Sequence, residues 1–397
     1  MPSLPLPDAP APEAFPEIEF DRYERPAAPR WLRYALHLLL FLVTLATTTI
    51  AGAEWMTDKF FFTLYSIDDP RMTFRASGWL TQAEILRGLW FSLPFLGVLT
   101  IHEFGHYFTA RYYRVRATLP YYIPFFTGAF NTIGTFGAVI RIKDRIFSRK
   151  EFFDIGLAGP LAGFLVAVPV LIYGFTHLPP GPRLPIEALY PPEQLANTLT
   201  LSRPLLYQLL EYWFADPARL PHPLELTHYP VLLAGSLALF FTALNLLPIG
   251  QLDGGHILYG LLGFRRFNRL SVVFFVGFIF YAGLGLFTLH SSREAWLYGG
   301  IPYALYLFLV FRRVVPTVRR TLLLALSVVA AQLALTLAVP GIFGNPGWLV
   351  FGLLLGRFMG IFHPPAPDER PLSAGRKVVG WLMLAIFVLC FSPSPFG

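Results

Sequence analysis

Apolar residues in this chain come in long unbroken runs, not in the short one-faced stretches of a water-soluble fold. Nine runs cover 31–53, 88–110, 153–178, 230–249, 270–290, 296–312, 320–340, 347–362 and 378–394. A helix of about 20 apolar residues crosses about 30 Å of hydrocarbon, and most of these runs reach that length. The pattern predicts an all-α polytopic membrane protein with about nine transmembrane helices. One stretch between the second and third runs departs from it. Thr135-Phe136-Gly137-Ala138-Val139-Ile140-Arg141-Ile142 is flanked by glycine and rich in strand-forming residues.

The polar segments divide the chain. Residues 1–30 are Pro-rich, mix acid with base and read as a disordered tail. No apolar stretch begins before Trp31, so they do not form a signal peptide. Residues 31–87 hold the first transmembrane helix and an outside loop, 88–265 a membrane core that includes the Pro-rich loop 179–229, and 266–397 the C-terminal transmembrane helices. With the N-terminus inside, the inside segments carry 23 Lys and Arg against 8 outside, the bias expected of cytoplasmic loops. Arg141, Lys143, Arg145, Arg149 and Lys150 then face the lipid headgroups. No internal repeat is visible.

Composition sharpens the class. Of 397 residues 55% are hydrophobic and 14% charged, with mean hydropathy +0.54. That excludes an ordinary soluble enzyme and a disordered chain. Net charge is +7, but the basic residues lie in short blocks between apolar runs, which argues for a bilayer partner and against nucleic acid. Cys390 is the one cysteine, so there is no intrachain disulfide and no Cys-cluster metal site.

The chemistry concentrates at His102-Glu103-Phe104-Gly105-His106, within the second run. Histidines at i and i+4 share one helical face and reach one metal ion, and the glutamate between them is placed to take a proton from an attacking water. About 0.01 such patterns are expected by chance in a chain of this composition, and three ionisable residues inside a membrane helix are costly unless they serve a function. Gly105 has two readings, a helix–helix packing contact and a site of close substrate approach. One catalytic zinc ion takes three protein ligands and a water, so a third ligand must come from elsewhere. Asp253 is the candidate, in Asn245-Leu246-Leu247-Pro248-Ile249-Gly250-Gln251-Leu252-Asp253-Gly254-Gly255-His256. There Pro and Gly break the helix, and irregular backbone at membrane depth lines a cavity or is buried. Asp253 could also cap a helix beginning at Gly254, and His256 is the rival ligand.

At these two motifs the chain resembles the site-2 protease family of intramembrane zinc metalloproteases. His102, Glu103 and His106 match its HExxH, and Asn245, Pro248, Leu252, Asp253 and Gly254 match its NxxPxxxLDG element. Gly156-Leu157-Ala158-Gly159-Pro160-Leu161-Ala162 is similar to its AGP segment, and Gly134 to Ile140 to a membrane-embedded hairpin between the first two core helices. His363-Pro364-Pro365 is similar to a stretch of the multi-span bacterial and plastid subgroup. The loop 179–229 has too few alternating apolar strands for a PDZ domain.

The resemblance implies an intramembrane endopeptidase that cuts transmembrane segments of single-span membrane proteins. In it His102, His106 and Asp253 hold zinc and Glu103 is the general base. Asn245 either bonds substrate backbone or bonds a freed carbonyl near Pro248. The segment with Gly134, Phe136 and Gly137 either pairs with unwound substrate by strand addition or plugs the space between core helices. The expected location is a bacterial inner membrane, with the site toward the cytoplasm, because no transit-like N-terminus is present. A cation transporter would need more intramembrane carboxylates along a path, and a non-proteolytic scaffold of the same fold would typically have lost the Glu or a His. His37 reads as a packed residue in the first span. Asp154 reads as a helix cap or a partner of Lys150. His177, His222, His228, His290 and His363 form no metal spacing with one another.

Overall fold

The computed structural model describes residues 29–59, 63–65, 73–75, 78–126, 132–179 and 200–395. Residues 1–28 of the expected N-terminal tail, and 180–199 of the loop 179–229, lie outside the described residues.

Each of the nine apolar runs contains a helix, although in the 270–290 run the helix ends at Ala282. In chain order the helices are α1 (Arg30–Thr57), α2 (Gln82–Arg87), α3 (Leu89–Tyr112), α4 (Arg149–Thr176), α5 (Leu205–Phe214), α6 (Pro230–Leu246), α7 (Asp253–Leu262), α8 (Phe264–Ala282), α9 (Arg293–Phe311), α10 (Val318–Ala338), α11 (Trp348–Met359) and α12 (Ala374–Cys390). Among the described residues five helical stretches are both long and apolar enough to cross a membrane: α1, α2 with α3, α4, α9 and α10. Helices α6 and α11 are apolar but shorter. Helix α8 opens on Arg265, Arg266 and Arg269, which dilute its apolar stretch.

Local chemistry sets the helix ends. Helix α4 begins at Arg149, ahead of its apolar run, because Ser148 and Glu151 form a reciprocal capping box. Asp154, one turn in, does not cap. It is held by Arg376 of α12 (Nε–Oδ1 2.8 Å) and by the Tyr113 hydroxyl. Arg149 also departs from the expected headgroup-facing role. It is buried and donates to the Gly260 carbonyl at 3.0 Å. Helix α6 stops at Leu246, two residues before Pro248, which biases the preceding residue away from helix.

Among the described residues four short strands form two antiparallel hairpins, β1 (Thr63–Tyr65) with β2 (Thr73–Arg75), and β3 (Tyr121–Pro124) with β4 (Thr135–Val139). In the second hairpin Tyr121 pairs with Val139 and Pro124 with Thr135, with an irregularity between Tyr122 and Pro124. This hairpin lies along α1. Pro120 O is 3.0 Å from His37 Nδ1, Gly134 O accepts from Thr47 Oγ1 at 2.7 Å, and Thr132 O accepts from Trp55 Nε1 at 3.0 Å. His37 thus packs the hairpin, as its position in the first span suggested. Beyond β4, Arg116 donates to Asp144 (2.8 Å), and these hydrogen bonds hold the Asp144 carboxyl below the usual carboxylate range.

The two largest apolar clusters among the described residues join many of the helices. One joins α4, α6 and α12 through Phe153, Leu171, Leu239, Leu246, Met383 and Ile386. The other joins α8 to α11 through Phe275, Ile279, Leu307, Val310, Val328 and Leu355. The last helix therefore folds back onto α4 and onto α6 and α7, the pair that carries the Asp253 motif.

Candidate active site

Positions 99, 102, 103, 106 and 110 are buried on one face of α3, as helical periodicity requires. This places His102, Glu103 and His106 toward α4 and the turn after α6, all under 10% exposed. Across from them the turn Leu247–Leu252 delivers Asp253 as the first residue of α7. Leu252, not Asp253, occupies the cap position. The Asp253 carboxylate is turned to the histidines, with Oδ2 3.3 Å from His102 Nε2 and 3.3 Å from His106 Nε2. The two Nε2 atoms are 3.1 Å apart.

These distances fit a metal ion. Ligands at the ordinary zinc distances of about 2.0–2.1 Å in a tetrahedron are separated by about 3.3–3.4 Å. Orientation agrees with spacing. His106 Nδ1 lies 2.7 Å from the Ile155 carbonyl. A carbonyl only accepts, so Nδ1 carries the hydrogen and the Nε2 lone pair faces the centre, the arrangement usual for a metal-ligating histidine. Among the described residues His102, His106 and Asp253 are the one group of three such side chains able to hold a metal. His256, the rival third ligand, lies elsewhere. Its Nδ1 is 2.8 Å from His363 Nε2.

Small residues on α4 make room for this face. A Cβ on Gly159 would lie 2.1 Å from His106 Nε2, and one on Gly163 would lie 3.1 Å from His102 Cβ. Gly105 is a packing contact, since a Cβ there would meet the Ala158 carbonyl oxygen at 2.5 Å. The role of the AGP-like segment is thus steric. Its signal was present in the sequence as a second four-residue spacing, Gly159 to Gly163, opposite that of His102 and His106.

The remaining candidates divide. Asn245 Nδ2 lies 3.3 Å from His102 Nε2, so its amide points to the cluster of His102, His106 and Asp253. Glu103 Oε2 accepts a 2.9 Å hydrogen bond from the backbone amide of Ile140, next after β4. That donor is a main-chain group, and no side-chain pattern announces it. Phe136 is 63% exposed and packs on Phe125 with ring centroids 4.0 Å apart. Gly137 adopts φ +106° with open space about it. Gly134, at φ +83°, sits against α1, where a Cβ would lie 2.4 Å from Thr48 Cα.

Residues 90–286, which hold both motifs, match the model of peptidase family M50.

The chain belongs to peptidase family M50, the site-2 proteases.

Among M50 relatives it is 29% identical over 322 residues to the probable zinc metalloprotease EGY1, chloroplastic, of Oryza sativa subsp. japonica, covering 76% of this chain and 49% of that protein. It is 28% identical over 287 residues to the protein of the same name in Arabidopsis thaliana, covering 70% and 47%. It is 28% identical over 234 residues to the probable zinc metalloprotease EGY2, chloroplastic, of Oryza sativa subsp. indica, covering 57% and 40%. The chain spans about half the length of the EGY1 relatives. No solved structure matches it.

Proposed function

We propose that this M50 protein is an intramembrane zinc endopeptidase that hydrolyses peptide bonds in or near the transmembrane segments of single-span membrane proteins. The observation that carries the proposal is the convergence of His102 Nε2, His106 Nε2 and Asp253 Oδ2 at 3.1–3.3 Å, with Glu103 beside them. His102, His106 and Asp253 would hold the ion. A bound zinc supplies Lewis-acid activation of water and of the scissile carbonyl.

The chain's own residues do the rest. Glu103 takes a proton from the water that adds to the carbonyl carbon, and returns it to the nitrogen as the C–N bond breaks. The Ile140 amide holds one carboxylate oxygen, so the other is oriented for this transfer. Asn245 Nδ2 donates to the oxygen on which negative charge develops. The Ile155 carbonyl keeps His106 in the tautomer that presents Nε2.

Peptide hydrolysis needs an extended backbone, because a helical amide is shielded and hydrogen-bonded. Strand β4 ends one residue before the amide that holds Glu103. This supports strand addition, with unwound substrate laid along β4 and its scissile bond delivered to Glu103. Phe136 and Gly137 present the open part of that strand, and Gly134 anchors it on α1. An apolar cavity of about 560 Å³ beside β4, lined by Trp55, Phe136, Leu237, Phe240 and Phe241, suits the side chains of a membrane-spanning segment.

The Lys and Arg bias supports nine crossings with the catalytic end toward the cytoplasmic face. In a bacterial cell this is the inner face of the inner membrane. The test is cleavage of a single-span reporter reconstituted with the protein in vesicles. Cleavage that stops with Glu103→Gln and with a zinc chelator is expected. Cleavage by Glu103→Gln at the wild-type rate would overturn the mechanism.

A further inference from the structure

Asp253 lies between two stretches of backbone, the turn before it and the first turn of α7 after it. Both are held by one short segment far along the chain, Gly360–His363.

On the near side the Gly250 amide donates to Ser271 Oγ at 3.0 Å, and that hydroxyl donates to the Ile361 carbonyl at 2.7 Å. Ser271 is fully buried. Gly250 has φ +61°, and a Cβ there would lie 2.2 Å from the Gly360 carbonyl oxygen, so the turn and the segment are in close contact. On the far side His256, one turn after Asp253, meets His363 at 2.8 Å.

His363 itself is fixed on every side. Its amide donates to Asn268 Oδ1 at 2.8 Å, and its carbonyl accepts from Asn268 Nδ2 at 3.1 Å. Its ring stacks on Tyr259 with centroids 3.8 Å apart, and it is 1% exposed. Its Nδ1 faces the Pro364 carbonyl at 2.6 Å, which can only accept. Nδ1 therefore carries the hydrogen, Nε2 is the acceptor, and His256 Nδ1 donates to it. His256 is pressed from the opposite side by α4, where a Cβ on Gly156 would lie 2.5 Å from its own Cβ.

We propose that His363 and Ser271 are positioning residues for the metal centre, through which the segment Gly360–His363 clamps the backbone on both sides of Asp253. The inference rests on the metal-site reading above and deepens it. Residues 360–363 lie outside the 90–286 match to the family, so the C-terminal part of this chain completes a site whose ligands all lie before it. Neither residue touches the metal. Both act by holding the Asp253 carboxylate where its oxygen meets the two histidines.

Three substitutions separate positioning from bulk packing. His363→Phe keeps the ring stacked on Tyr259 and loses the bond to His256. His363→Gln places an amide near the Nε2 position and loses the ring. Ser271→Ala removes one hydroxyl from the near side. Full-length protein in detergent would be titrated with zinc against a chromophoric chelator, and with cobalt(II) read by its visible absorption. Far-UV circular dichroism and melting would report the fold.

The expected result is a folded His363→Phe that binds zinc about 10–100-fold more weakly, with an altered cobalt spectrum. His363→Gln should restore affinity toward wild type, and Ser271→Ala should weaken it. A folded His363→Phe with wild-type affinity and spectrum overturns the proposal. If His363→Phe does not fold, Ser271→Ala decides, and wild-type affinity and spectrum there overturn it equally. A wild-type protein that binds neither metal overturns the proposed function and this inference with it. Wild-type binding with unaltered variants overturns this inference alone.

Discussion

The Glu103 carboxylate accepts a 2.9 Å hydrogen bond from the backbone amide of Ile140. A catalytic candidate on a core helix is thus joined to the hairpin proposed to receive substrate. The strand that would align a peptide and the group that would move its protons are set by one contact.

Glu103→Gln should separate chemistry from architecture. The Gln oxygen can still accept from Ile140, so the contact survives while the base is lost. Turnover of a transmembrane reporter is expected to fall by about 10²–10⁴-fold, with bound metal unchanged. Single-turnover cleavage and metal analysis on the same sample check both halves. Loss of metal together with activity would show that Glu103 builds the site and does not serve it as a base.

Gly159→Ala sets a local gain against a loss at the site. Alanine in a helix interior is favoured over glycine by about 1 kcal/mol, so packing-neutral substitution would raise stability. Here the new Cβ would lie 2.1 Å from His106 Nε2. Both groups stand on packed helices, so His106 must move. Lower metal content and lost cleavage are expected, measured by metal analysis beside the melting temperature. A more stable variant with full metal content would exclude the steric role.

Phe136→Ala tests the hairpin. Its ring is 63% exposed, and exposed substitutions ordinarily change stability by no more than about 0.5 kcal/mol. If β4 lays out substrate, KM for a transmembrane reporter should rise several-fold with metal content and melting unchanged. A hairpin that only plugs the space between helices would leave KM where it was.

Much of this could be read from the chain. Long apolar runs dictate helices, and i, i+4 histidines around a glutamate dictate a shared face, so the nine helical positions and the His102–Glu103–His106 face were legible. The meeting of Asp253 with that face was legible as a motif pairing, because Pro248 and Gly250 announce a broken helix. Contacts between distant backbone groups were not legible. The Ile140 amide, the Ile155 carbonyl and the Ile361 carbonyl are identical in kind to every other main-chain group, and only folding selects them. The partners of Asp154 and Arg149 were not legible for a related reason. Neighbours in sequence do not reveal their partners, because Arg376 and the Gly260 carbonyl lie more than 100 residues away. Span count stays coarser than helix count, because length and apolarity qualify five helical stretches.

Arg376→Ala should loosen the return of α12 onto the core. Among the described residues it leaves Asp154, whose side chain is 17% exposed, with only the Tyr113 hydroxyl as hydrogen-bond partner. Breaking a partly buried ion pair in this way costs more than breaking an exposed one, which is worth about 0–1 kcal/mol. A lower melting temperature is expected, partly recovered when Asp154→Asn is added. Identical melting of Arg376→Ala and wild type would remove the ion pair from the account of stability.

The most direct measurement is zinc per chain in purified full-length protein, for wild type, His106→Ala and Asp253→Ala. One zinc in wild type and none in either variant is the predicted result. Zinc retained by Asp253→Ala, or a wild-type protein that takes up no zinc when it is added back, would contradict a centre built from His102, His106 and Asp253.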